Sequence, residues 1–283
     1  MHTDTSAIEA VIKLELGRRR ARGTIQRYIQ ATRRYCRFAR KTYGFTRQDY
    51  LRYFDYLIDR GFAPRTLIWT YSALMKMAQC IGEGYPITIE DLPRHTSYRK
   101  TAAELAELML SHGKVYSLVT NIRRKGTPAE QFYLAMSTIY GLRRVELAEL
   151  SASSFDSTLS TVTVQAAKGG EMRTHHVPQE IKPSIRLAIN TKSIGYAPGT
   201  LSLMFINMCQ KASVRRGDGV GWHSIRRALN TYLLRDQVPY HVVRDFLRWK
   251  ASSKDMPGLY FHLESHEVDQ IIFEKHPFLE MWR

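Results

Sequence analysis

The chain is 283 residues long, which is room for one large domain or two of ordinary size. Its 42 lysines and arginines outweigh 26 carboxylates, and the formal net charge of +16 points to polyanionic partners, nucleic acid before anionic membrane. Three scattered cysteines with no CxxC pair, and no apolar run of membrane-spanning length, argue against a disulfide scaffold, a zinc knuckle and a transmembrane protein, so a cytoplasmic, reducing setting without a secretory leader is expected.

From Leu16 to Gln48 there is no acidic residue and there are eleven basic ones. Ile25, Tyr28, Ile29, Thr32, Tyr35, Cys36 and Ala39 recur at helical spacing, which predicts an amphipathic helix with this stripe in a core and Gly44 as its stop. Arg27, Arg33, Arg34, Arg37, Arg40 and Lys41 then occupy the other faces. Charge of one sign repels itself, so these six are candidate phosphate contacts. Thr46 and Asp49 form a capping box for a second helix, whose stripe is Tyr50, Tyr53, Phe54, Leu57 and Ile58 and which Gly61 ends. Pro64 opens a third, with Leu67, Ile68, Tyr71, Leu74, Met75 and Ala78 inward and an end near Gly82. Residues 1–90 thus read as a small helical DNA-binding domain. Residues 91–100, with Pro93 and the basic run Arg94 to Lys100, read as a linker, and 101–283 as a second domain.

In that second domain Thr101 and Glu104 make another capping box before Leu105, Leu108 and Met109. Thr127, Pro128 and Glu130 combine cap, first-turn proline and capping carboxylate, which predicts a helix to about Tyr140. Thr161 to Ala167 and Met172 to Val177 alternate like strands, with Lys168 to Glu171 as a hairpin turn and His175-His176 on the strand surface. Helices return at about 200–213, 223–235 and 239–248. The fold class is therefore mainly α with a small antiparallel β-sheet (α+β).

Five motifs fall in one order: Gly141-Leu142-Arg143-Arg144-Val145-Glu146-Leu147; Lys168 in the turn; His223-Ser224-Ile225-Arg226; Trp249 after Phe246-Leu247; and Asp255-Met256-Pro257 before Tyr260-Phe261-His262. Each alone is weak, since an arginine can begin any helix and fifteen other tyrosines are present. Together they resemble the tyrosine recombinase or phage-type integrase family, with an archaeal flavour in the last motif. The resemblance covers about residues 100–275, and the helical N-terminal part is similar to the family's core-binding domain in charge and placement. It implies a two-domain clamp around duplex DNA and a site-specific recombinase. It also implies a 3′-phosphotyrosyl intermediate, a Holliday junction and a homotetramer on paired DNA sites, with no metal, cofactor or small-molecule substrate. By the same resemblance the catalytic set is Tyr260, Arg143, Arg226, Lys168, His223 and Trp249.

The chemistry of these residue types agrees. A tyrosine oxygen suits a covalent intermediate, and two guanidinium forks suit the non-bridging oxygens of a phosphate. They would stabilise charge as it builds in the transition state. A turn lysine can protonate the leaving 5′ oxygen, and His223 can hold or accept the tyrosine proton. Trp249 offers one donor and a packing surface. Glu146 reads as an orienting residue, and the adjacent Arg144 and Arg227 fall out of register with Gly141 and His223. His262, Glu264 and His266 lack the metalloprotease order, so no metal is expected.

Four departures from the family pattern stand out: Tyr140 in place of a frequent threonine, Arg248 in place of the usual glycine, Gly170-Glu171 in the turn, and a long Trp249–Tyr260 interval. Two alternatives share the fold: a type IB topoisomerase-like or telomere-resolving enzyme, and a DNA-binding protein that has lost catalysis. The apolar segment after Glu264, with Ile271, Ile272, Phe273 and Trp282, is expected to pack on a neighbouring protomer.

Overall fold

The computed structural model describes residues 4–17, 22–84, 86–92, 102–165, 167, 172–217, 219–249 and 263–283. The chain divides into two compact units, 1–100 and 101–283. The basic run of the linker, the Thr101 cap, the turn bearing Lys168 and the motif bearing Tyr260 lie outside the described residues.

The first unit contains α1 (Ser6–Leu16), α2 (Arg22–Ala39), α3 (Arg47–Asp59) and α4 (Pro64–Cys80). The Thr46 cap works as the sequence predicts: its hydroxyl accepts from Asp49 N–H, and the Asp49 carboxylate accepts from Thr46 N–H at 2.7 Å. The apolar stripe of α2 is inside. Tyr35 is fully buried and stacks on Tyr50 of α3 with ring centroids 4.8 Å apart. The helix α1, which the sequence pattern did not delimit, is held to α2 by Glu9, whose carboxylate accepts from Arg33 Nε at 2.6 Å and NH2 at 2.7 Å.

In the second unit α7 (Pro128–Tyr140) is apolar all round, with Phe132 to Tyr140 entirely buried, as the central helix of a core must be. Around it are α5 (Ala102–Glu107), α6 (His112–Lys125), α8 (Arg144–Glu149), α9 (Lys182–Asn190), α10 (Pro198–Lys211), α11 (Trp222–Arg235), α12 (Tyr240–Phe246) and α13 (Ser265–Glu274). The strands β1 (Thr161–Val164) and β2 (Arg173–His176) pair antiparallel, with Val162 opposite His175. Thus the fold is mainly α with one small antiparallel sheet. Among the described residues no helix is long and apolar enough to cross a membrane.

One expectation is corrected here. Adjacent strand residues point to opposite faces, so His176 is exposed while His175 is fully buried and is not strand surface. The C-terminal segment packs on its own unit: Val268, Ile272 and Trp282 are in the core, and Trp282 Nε1–H donates to Thr138 Oγ1 at 3.0 Å. The apolar side chains that suggested a partner complete the covering of α7.

Candidate active site

The site begins where α7 ends. Gly141 has φ +58°, the left-handed conformation that glycine adopts without strain, and it stops the helix. Space as well as conformation requires it, because a Cβ there would sit 2.8 Å from Leu247 Cδ2 and 3.2 Å from Leu229 Cδ2. The turn delivers Arg143 to the cap of α8. The Arg143 N–H donates to Glu146 Oε2 at 2.8 Å, and its guanidinium donates to Oε1 at 2.5 Å. Arg144 points elsewhere, to Ser202 on α10.

Arg226 reaches the same carboxylate from α11. It is 1% exposed, with NH1 3.8 Å from Glu146 Oε2. Its NH1 donates to Gly141 O at 2.8 Å and its NH2 to Leu247 O, so the fork is fixed by the ends of two other helices. Its Nε–H has no partner among the described residues. Trp249 lies over it, the guanidinium carbon 5.6 Å from the ring centroid. His223, one turn before Arg226 on the same helix, is exposed.

A third guanidinium joins them. Arg248 is buried, with NH2 3.5 Å from Glu146 Oε2 and donating to Tyr140 O at 3.0 Å. Its NH1 donates to Phe246 O at 2.9 Å and to His175 Nε2 at 2.8 Å. A guanidinium only donates, so Nε2 is the acceptor and the His175 proton sits on Nδ1, facing Asp269 Oδ1 at 2.8 Å. The second oxygen of Asp269 accepts from His176 N–H at 2.6 Å.

The electrostatics follow from crowding. Burial pushes the Arg226 guanidinium down from its ordinary range, and the Arg248 and Arg143 charges push it further. It nevertheless stays a cation, as guanidinium does in proteins. Burial would raise the Glu146 carboxyl, but Arg248, the two Arg143 donors and Arg226 outweigh that, and its pKa lies below the usual value. Burial lowers the His175 pKa to about 4 against the pull of Asp269, so the ring is neutral near pH 7. Three buried or half-buried cations thus share Glu146, and Asp269 is engaged by histidine and backbone. The cluster carries surplus positive charge at a place that a phosphate monoanion would neutralise.

The structure therefore brings Arg143 and Arg226 together on Glu146, with Trp249 over Arg226. His223 stands one turn from Arg226, and Lys168 and Tyr260 lie outside the described residues. Sequence reasoning missed His175, Asp269 and the role of Arg248. The available signals were an arginine inside the apolar run Phe246 to Trp249, and a histidine at an inward position of an alternating strand. In the first unit Arg27, Arg34, Arg37 and Arg40 are exposed with no ion pair among the described residues. Arg33 is committed to Glu9, and Lys41 to Asp49 at 2.6 Å.

No family model matches the chain, and no curated protein matches it in sequence. Solved structures do match in fold. A lambda integrase tetramer bound to a Holliday junction superposes with TM-score 0.65 at 16% identity, over 89% of this chain and 76% of that one. The XerH site-specific recombinase bound to its difH substrate gives 0.61 at 13% identity, over 95% and 84%. The Tn1549 transposon integrase with transposon end DNA gives 0.59 at 11% identity, over 94% and 98%. The resemblance to integrases drawn from the sequence motifs holds at the level of the fold.

Proposed function

We propose that the chain is a tyrosine-type site-specific DNA recombinase, with Tyr260 as nucleophile. One observation carries the reading: two arginines 83 positions apart in sequence (226 − 143) meet on a single buried carboxylate. With Arg248 they form a cationic cluster, in a fold shared with DNA-bound integrases.

In this reading Arg143 and Arg226 bind the non-bridging oxygens of the scissile phosphate, and Trp249 braces Arg226 from above. The Tyr260 oxygen attacks phosphorus while its proton passes to His223. The bond to the 5′ oxygen breaks, and Lys168 gives that oxygen a proton. The arginines gain strength as negative charge builds on phosphorus, which is the differential binding that accelerates the step. Reversal by the 5′-hydroxyl of a partner strand rejoins the DNA without an external energy source. Duplex DNA is the partner, held in part by the exposed arginines of the first unit, and four protomers act on two paired sites.

The experiment is covalent capture. Purified protein is mixed with nicked duplexes of randomised sequence, from which the short cleaved fragment diffuses away. Adduct that survives denaturation is then sequenced. The wild type is expected to form adduct on a defined subset, and Tyr260→Phe none. No wild-type adduct, with DNA binding intact, would leave a DNA-binding protein. Adduct formation followed by plasmid relaxation without strand exchange between two sites would leave a topoisomerase.

A further inference from the structure

Arg248 stands where the family pattern has glycine, and its backbone keeps the conformation that glycine favours, φ +56°. An arginine held in the left-handed region tolerates strain that a glycine would not feel. The compensation is visible in its side chain, which is fully buried and engages four elements at once. It faces Glu146 on α8, the carbonyl of Tyr140 at the end of α7, that of Phe246 at the end of α12, and His175 on β2. His175 hands the connection to Asp269 on α13. A continuous line of polar contacts thus runs Asp269–His175–Arg248–Glu146 and ends on the carboxylate that holds Arg143 and Arg226.

Resting on the recombinase reading above, we infer that Arg248 is a positioning residue. It fixes Glu146, and through it the two phosphate-binding arginines, by anchoring them to the docked C-terminal helix α13. Glu146 sits among three guanidiniums, and each of its oxygens has a choice of partners. Removing Arg248 frees Oε2 to move toward Arg226 and allows both catalytic forks to shift. A fork aimed at a phosphate loses much of its advantage with a misplacement of about 1 Å. Lysine at 248 would restore the charge but not the fork, which alone reaches His175, Phe246 O, Tyr140 O and Glu146 together.

The test compares Arg248→Gly, Arg248→Lys and Asp269→Asn with wild type, each checked for folding by its melting curve. The readouts are the adduct-forming rate at saturating protein on a nicked duplex enriched from the randomised pool, and the dissociation constant for that duplex. Glycine suits the backbone at 248, so Arg248→Gly removes the guanidinium without imposing strain. The expected result is a rate lowered about 100-fold in Arg248→Gly, less in Arg248→Lys and roughly tenfold in Asp269→Asn, with affinity changed little. If Arg248→Gly does not fold, Asp269→Asn and Arg248→Lys decide. Wild-type rates in the folded variants overturn the inference while leaving the recombinase reading intact. A loss of affinity that accounts for the lost rate also overturns it. Absence of wild-type adduct overturns the recombinase reading itself, and the inference with it.

Discussion

The same side chain does two different jobs in the two units. On α2 and just beyond it the arginines at 27, 34, 37 and 40 are exposed, away from the Ile25–Ile29–Cys36 stripe. In the second unit Arg226 and Arg248 are buried, each bonded to backbone carbonyls and facing Glu146. An exposed guanidinium is hydrated, mobile and screened by salt, so its neighbours can substitute for it. A buried one is fixed in direction and its charge is little screened, so nothing substitutes for it. The first arrangement suits holding any phosphate backbone, and the second suits one phosphate in one geometry.

The sharpest way to break this contrast is Arg226→Lys. If the buried arginine acts only as charge, lysine rescues it. If its fork matters, adduct formation falls on the order of 1,000-fold, the scale for losing a preorganised donor, while duplex affinity stays near wild type. Single-turnover cleavage beside a binding titration separates the two.

Glu146→Gln probes the same cluster from its negative side. Removing the carboxylate leaves buried guanidiniums without their counter-charge, and the second unit is expected to lose roughly 3–5 kcal/mol of stability. Denaturant unfolding measures it. A loss below about 1 kcal/mol would place the cluster in contact with solvent and remove the distinction from α2.

The difference between the units also explains what the sequence made legible. Helix boundaries set by local chemistry were readable, as with Thr127-Pro128-Glu130 for α7 and Thr46-Asp49 for α3, because capping is decided within four residues. The pairing of Arg143 with Arg226 came from motif order rather than from periodicity. The Asp269–His175–Arg248 line was not readable. It joins residues 94 and 73 positions apart, and each looked ordinary alone: a strand histidine, a helix aspartate, an arginine breaking a pattern. Burial turns such residues into partners, and burial depends on how β2 and α13 pack. The apolar C-terminal segment shows the same limit, since a sequence shows that a face needs covering but not which surface covers it.

Acid separates the units by a different route. His175 and His276 are buried and their pKa values lie at about 4, burial being the main cause in both. Unfolding returns each to an ordinary value near 6.5. A depressed folded pKa means that this contribution to stability is full above about pH 6.5 and is lost as pH falls toward 4, at up to about 1.4 kcal/mol per pH unit for each histidine. Both rings anchor the C-terminal segment, His175 through Asp269 and His276 through Ile139 O at 2.9 Å. Hydrogen-exchange protection, taken relative to the intrinsic rate at each pH, is expected to be lost first in α13 and β2 between pH 7 and pH 4.5. Earlier loss of protection in α2 would contradict this assignment.

The smallest effects belong to α2, and they sharpen the contrast from the exposed side. Arg34→Ala and Arg37→Ala should each weaken binding to any duplex modestly and equally across sequences, lowering the salt dependence of log K by about one unit for each phosphate no longer neutralised. Arg33→Ala should differ although its side chain is exposed too, because its charge is already balanced by Glu9. Its removal should leave the salt slope almost unchanged and instead release α1 from α2, seen as faster exchange in Ser6–Leu16. If Arg33→Ala lowers the salt slope as much as Arg34→Ala, the Glu9 pair opens on DNA, and the arginines of α2 act as one interchangeable surface.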